Sequence, residues 1–302
     1  MQIGLIGTGR MGGAMALRLV EKGHKVHVYD VNPDAMKDAV DSGAIGANSF
    51  EDFVSKLTPP RLVWLMIPSS HLEETLHKLK PLLAQGDVII DGGNTWYEDS
   101  IRRAKECESL GIHFMDVGVS GGLSGARNGA SMMIGGPREI FERLEPLFCD
   151  ICVENGYGYM GFSGSGHRVK AIHNWVEYVM MAGIAEGLQA VRDAKEFNTD
   201  LGEVIKAWGH GSIVAGRLVT EWLSAAWKDD PGLKSFGDKV PYGETEGEME
   251  KFMAQYPAPL LKAAVEMRAR SRTKPGFDAN VINALRKYFG GHTKDTASKR
   301  VV

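Results

Sequence analysis

The chain is expected to fold as an N-terminal doubly wound α/β domain followed by an all-helical C-terminal domain. Three observations predict this. Short apolar runs alternate with helical stretches through the first half, a glycine-rich turn follows the first run and opens a helix, and strand signals vanish from about Gly164 onward. At roughly 150 residues per domain, 302 residues suit two domains that each bury a core of their own.

The apolar runs are Gln2–Ile6, Lys25–Tyr29 and residues 62–67, 88–90, 113–116 and 131–134, each short enough for a buried strand of a parallel sheet. Between the first two, residues 11–21 carry the helical spacing Met15, Leu17, Leu19, Val20 and stop at Gly23. A long helix is expected from about His167 to Glu196, which contains no Pro and no interior break stronger than Gly183 and Gly187. The glycine-rich stretch 156–166 places the boundary near Phe162, giving an α/β domain 1–162 and a helical domain 163–302. Residues 229–259, rich in Gly, Pro and acids, read as loops around one short helix.

Composition narrows the function. With 43% apolar and 24% charged residues the chain is an ordinary soluble one. A formal charge of −3 gives no attraction to nucleic acid or anionic membrane, and the longest apolar run is far below the ~20 residues of a bilayer span. Met1 leads straight into a strand, so no signal or transit peptide is expected. Cys107, Cys149 and Cys152 form no disulfide framework and suit a reducing cytoplasm; Cys149 and Cys152 have redox-motif spacing without a thioredoxin-like context. Residues 261–302 carry ten Lys and Arg against three acids, a local +7 on a body of −10. That patch suits an anionic small molecule or an acidic neighbouring subunit, and a solvated helix face is the alternative.

The segment Gly7-Thr8-Gly9-Arg10-Met11-Gly12 has the glycine spacing of a Rossmann dinucleotide turn. Gly7 would make the tight turn, Gly9 would admit a pyrophosphate to the backbone, and Gly12 would let helix and strand pack closely. A plain glycine turn is the alternative. Asp30 ends the next strand, about 20 residues on, where an acid accepts both ribose hydroxyls of NAD. An acid there repels a 2′-phosphate, and Val31, Asn32 and Pro33 supply no Arg to pair with one, so NAD is expected over NADP.

Two further clusters sit at strand ends: Asp91-Gly92-Gly93-Asn94 and Ser120-Gly121-Gly122. Each offers N–H groups to a carboxylate or hydroxyl, and each could equally be a tight turn. On the long helix Lys170, Asn174 and Glu177 fall within about 60° of one another, flanked by His173 and Tyr178, while Val169, Ile172, Val176, Val179 and Met180 lie opposite. Lys170 pairing with Glu177 as surface charges is the alternative. His167 and His173 are six apart and lack a completing carboxylate, so no metal site is expected.

Together with the Arg286-x-Tyr288-Phe289-Gly290-Gly291-His292-Thr293 tail and the Gly164-x-Gly166-His167-x-Val169-Lys170-x-x-His173-Asn174-x-x-Glu177-Tyr178 run, these motifs resemble the decarboxylating 6-phosphogluconate dehydrogenases in their short bacterial form. That family belongs to the β-hydroxyacid dehydrogenase superfamily. The resemblance implies a cytoplasmic enzyme of gluconate metabolism and the pentose phosphate pathway, a homodimer or dimer of dimers whose helical domain forms the contact, with substrate between the domains. It implies that Lys170 is the base for the C3 hydroxyl and that Glu177 protonates C1 after CO2 leaves. Asn94, Ser120, Gly121, Gly122, His173 and Asn174 would hold the carboxylate and hydroxyls, with Tyr178, Arg268 and Arg286 at the phosphate end. The tail would cross to the neighbouring subunit and deliver His292 there; a frayed terminus is the alternative. A non-decarboxylating β-hydroxyacid dehydrogenase acting on a small or unphosphorylated acid is the rival reading. One departure stands out: where the family holds the phosphate with Lys and Thr, or with Arg in short forms, this chain has Tyr242-Gly243-Glu244-Thr245-Glu246-Gly247-Glu248, whose acids oppose a phosphate.

Overall fold

A computed structural model describes residues 1–212, 216, 218–255 and 258–290. The chain divides into two compact units, Met1–Ala171 and Ile172–Val302.

The first unit is built in chain order from β1 (Gln2–Ile6), α1 (Arg10–Glu21), β2 (Lys25–Tyr29), α2 (Lys37–Asp41), β3 (Ile45–Gly46), α3 (Phe50–Ser55), β4 (Leu62–Leu65), α4 (Ser69–Leu79), β5 (Val88–Asp91), α5 (Tyr97–Glu108), β6 (His113–Ser120), α6 (Gly122–Asn128), β7 (Ala130–Gly135), α7 (Arg138–Ile151), β8 (Cys152–Gly161) and the first turns of α8 (Ser165–Asp193). Its eight strands lie in the order β3-β2-β1-β4-β5-β6-β7-β8. The reversal between β3-β2-β1 and β4 puts the β1 and β4 ends at a topological switch point, where a doubly wound sheet leaves room for a ligand. Both faces are covered, which is why the central strands are apolar throughout: Ile3, Leu5, Trp64, Ile90, Met115 and Phe148 pack on one side, and Phe53, Val63, Leu65, Leu72 and Ile89 on the other.

The sheet departs from the sequence reading at its far edge. β7 runs antiparallel to β6, because α6 is only seven residues long and the chain turns back at Gly129 (φ +135°) without crossing the sheet. The stretch read as a glycine-rich linker is largely β8, paired parallel to β7 with register shifts near Met132 and Gly135. Gly156 is required there, since a Cβ would stand 2.8 Å from the Ala130 carbonyl oxygen. The division between the units falls inside α8, beyond Phe162, because the first turns of that helix are seated on the sheet.

The second unit holds the rest of α8, then α9 (Leu201–Gly209), a π-helical turn at Leu218–Leu223, α10 (Ser224–Asp229), α11 (Glu244–Gln255), α12 (Pro259–Ser271) and α13 (Phe277–Gly290). No strand occurs among its described residues. The one helix expected within residues 229–259 is α11, and it takes in most of the acidic run: Thr245, Glu246 and Glu248 lie in its first turns. Leu223, Leu233, Val240, Met249, Phe252, Leu261, Val281 and Leu285 are buried here.

Candidate active site

The nucleotide end is assembled by the loop between β1 and α1. Gly7 has φ +93°, and a Cβ on it would stand 2.5 Å from the Met66 carbonyl oxygen; a Cβ on Gly12 would stand 1.9 Å from the Gly7 oxygen. Only glycine satisfies either position. A Cβ on Gly9, by contrast, would meet nothing within 4 Å, so the loop keeps open space before the N-terminus of α1. Asp30 closes onto the same loop: Thr8 N–H donates to its Oδ2 at 2.7 Å and Asn32 N–H to its Oδ1 at 2.9 Å. The Thr8 hydroxyl also donates to Oδ2, at 3.4 Å, so Oδ1 is the oxygen that keeps a further lone pair for a ribose hydroxyl. Val31 beside it is 86% exposed. Arg10 and Met11 begin α1, so the loop residues and the acid named from the sequence do converge.

At the end of β5 the Asp91 carboxylate accepts the Gly93 N–H at 3.0 Å, and Gly92 lies so close to Trp64 that a Cβ would come within 2.2 Å of its Nε1. Asn94 follows, half-buried. At the end of β6, Ser120 gives way to Gly121 (φ +110°) and Gly122 (φ +60°), whose left-handed backbone starts α6.

Lys170 owes its place to the Gly164-x-Gly166-His167 run before it and to Gly118 and Asp116, which the sequence reading did not single out. Gly118 of β6 makes room for its stem, because a Cβ there would stand 2.2 Å from Lys170 Cβ. Gly166 presses on the backbone of β6 and β7 in the same way, 2.2 Å from the Asp116 oxygen. Asp116, fully buried, then accepts the Gly164 N–H at 2.7 Å and the His167 N–H at 2.9 Å, so a strand side chain caps the first turn of α8. Burial pushes the Asp116 carboxyl above its ordinary range, opposed by the nearby His167 and the two N–H donors. His167 Nδ1 lies 2.7 Å from Ser100 Oγ. The Gly-x-Gly-His spacing before Lys170 was the available signal for this anchor.

Within the second unit α8 presents His173, Asn174, Glu177 and Tyr178. His173 Nδ1 is 3.8 Å from Glu177 Oε2 and 3.5 Å from Asn174 Oδ1; Asn174 is 6% exposed. Since α8 is one continuous helix, Lys170, Asn174 and Glu177 occupy successive turns of one face. Of the apolar back, Val176 and Met180 are about half exposed, at 52% and 51%.

Tyr178 leads into a cluster of charge. Its hydroxyl is bonded to Thr245 of α11, and the Arg268 guanidinium of α12 lies 4.3 Å above its ring. Glu246, buried at the head of α11, pairs with Arg272 and lies 3.7 Å from Arg268 Nε. Burial and the neighbouring Arg268 push the Arg286 guanidinium down to about 10, so it remains a cation at neutral pH. Sequence reasoning named Tyr178, Arg268 and Arg286 but missed Arg272, whose spacing of four from Arg268 was the signal, and missed that Glu246 faces these cations. His292 lies outside the described residues. Among those described, no group of three His, Cys, Asp or Glu side chains could hold a metal ion, and no helix is long and apolar enough to cross a membrane.

Residues 2–161 match the NAD-binding domain of 6-phosphogluconate dehydrogenase. YqeC of Bacillus subtilis, provisionally named as a 6-phosphogluconate dehydrogenase, is 40% identical over 98% of this chain and 99% of its own length. The NAD(+)-dependent, decarboxylating 6-phosphogluconate dehydrogenase of Haloferax volcanii is 36% identical over 97% of this chain and 98% of its own. Among solved structures, Plasmodium falciparum 6-phosphogluconate dehydrogenase, described with NADP+ and with 6-phosphogluconate, superposes with a TM-score of 0.75 at 29% identity. That match covers 91% of this chain and 62% of the Plasmodium chain.

Proposed function

Since the chain belongs to the 6-phosphogluconate dehydrogenase family and begins with its NAD(P)-binding domain, we propose that it converts 6-phospho-D-gluconate to D-ribulose 5-phosphate, CO2 and NADH. The observation that carries this reading is α8, which bears a lysine anchored through Gly118 and Asp116, a Glu177–His173 pair two turns on, and Tyr178 beneath the Arg268 guanidinium.

Gly7, Thr8, Gly9, Arg10, Met11, Gly12, Asp30 and Asn94 would hold the dinucleotide, and the fit is supported by the open space at Gly9 and the placement of Asp30. Bound NAD would supply the hydride acceptor for C3. Lys170, starting neutral, takes the proton of the C3 hydroxyl; a lysine needs desolvation or nearby cations to do so near pH 7. The resulting β-keto acid loses CO2 because the electrons of the breaking C–C bond flow into the ketone. Protonated Lys170 stabilises the enolate oxygen, and Glu177 then protonates C1 of the enediol. Asn94, Ser120, Gly121, Gly122, His173 and Asn174 hold the carboxylate and hydroxyls, and Tyr178, Arg268 and Arg286 take the phosphate end. NAD is favoured because Asp30 opposes a 2′-phosphate and the following Val31, Asn32 and Pro33 supply no Arg to pair with one.

The exposed Val176 and Met180 support α8 as a contact with a second copy of the chain, and a cytoplasmic homodimer, or a dimer of dimers, with His292 shared across it completes the proposal. The test is a panel of aldonates, phosphorylated and not, assayed with NAD and NADP in wild type and Lys170→Ala. Substrate-dependent NADH formation that vanishes in Lys170→Ala is expected; NADH formation that survives the substitution contradicts the assignment.

A further inference from the structure

Among the described acids of the second unit none is more buried than Glu246, at 1% exposure. Oε1 accepts from Arg272 Nη2. Oε2 and Arg268 Nε face each other at 3.7 Å, and neither atom has a hydrogen-bond partner among the described residues. Arg268 is itself 3% exposed and stacked on Tyr178, and Arg286 shares the same field of charge. A guanidinium buried this deeply needs a counter-ion even when no ligand is present. Glu246 is that counter-ion, supplied by the chain.

Resting on the reading of Arg268 and Arg286 as the holders of the substrate's far end, we propose that Glu246 sets specificity there. It claims Arg272 and neighbours Arg268 in place of a ligand anion, so that the protein gains less from a substrate phosphate and also accepts unphosphorylated aldonates. Two consequences of the geometry lead to this. A phosphate approaching the guanidiniums meets a fixed carboxylate in a poorly solvated setting, where like charges repel strongly. An uncharged terminal hydroxyl meets no such repulsion, so an unphosphorylated aldonate loses nothing to the buried carboxylate.

The experiment is calorimetric titration of wild type and Glu246→Gln with 6-phosphogluconate and with gluconate, alongside NADH formation from each. Removing one buried charge while keeping the shape should raise the affinity ratio of 6-phosphogluconate to gluconate by about tenfold or more. Glu246→Met, which is also uncharged and suited to burial, should shift the ratio in the same direction and serves if the Gln variant does not fold. A ratio that stays the same or falls in the folded variant means that Glu246 only organises the arginines, and overturns the inference. Wild type that forms NADH from 6-phosphogluconate with an unmoved ratio defeats this inference alone. Absence of both binding and NADH formation with either aldonate defeats it together with the functional reading.

Discussion

Glu177 and Lys170 divide the proposed chemistry, and substitution separates their roles. Glu177→Gln keeps the shape beside His173 but cannot donate the final proton. Its kcat should fall by roughly 10²- to 10⁴-fold, with little change in substrate affinity. Steady-state kinetics check this, and a near-wild-type kcat would remove Glu177 from the role. In the first unit Asp30 bonds Thr8 and Asn32 through its two oxygens. Asp30→Ala should weaken NAD and relieve the repulsion of a 2′-phosphate, moving the NAD/NADP ratio of kcat/KM toward NADP, and Val31→Arg added to it should move the ratio further. An unchanged ratio would contradict the placement. These residues were legible in the sequence because glycine spacing and helical periodicity are local. Arg272 and Glu246, 26 residues apart, meet only through the packing of α11 on α12, and no local pattern announces such a pair.

At the scale of elements the decisive device is the seat of α8 on the sheet. Gly118→Ala would drive a methyl against Lys170 Cβ, a backbone-proximal atom that cannot swing away, so the helix itself must shift. Overpacking of this kind costs about 1–3 kcal/mol of stability, while a displacement of ~1 Å costs on the order of 10²-fold in rate. We therefore expect kcat to fall far more than urea stability, with NAD affinity unchanged; equal loss of all three would make Gly118 an ordinary packing residue. The parallel strands β1, β2, β4, β5 and β6 were legible as apolar runs bounded by turns. The reversal at β7 was not, since a strand's direction is fixed by the length of the preceding connection and not by its own residues. β8 was hidden because its glycines, of which Gly156 is required by the close backbone of β7, read as a linker.

For the whole molecule, the presence of an α/β unit and a helical unit follows from the loss of strand signals after Gly164, while the division itself falls after Ala171 and not near Phe162. What the sequence could not supply is the environment of the helical unit's cations: three arginines lie near a buried glutamate whose charge they share. The proposed exchange of tails between subunits makes a demand of its own. Inactive Lys170→Ala and inactive His292→Ala chains, co-expressed, should form mixed dimers with one intact site and regain a fraction of wild-type activity; verified mixed dimers as dead as either parent would confine His292 to its own chain. The central claim, oxidation followed by decarboxylation at one helix face, is tested most directly by the CO2 released per NADH formed during turnover of 6-phosphogluconate. A ratio near one is what the account predicts. NADH formed with a ratio near zero would contradict it and leave a dehydrogenase that stops at the keto acid.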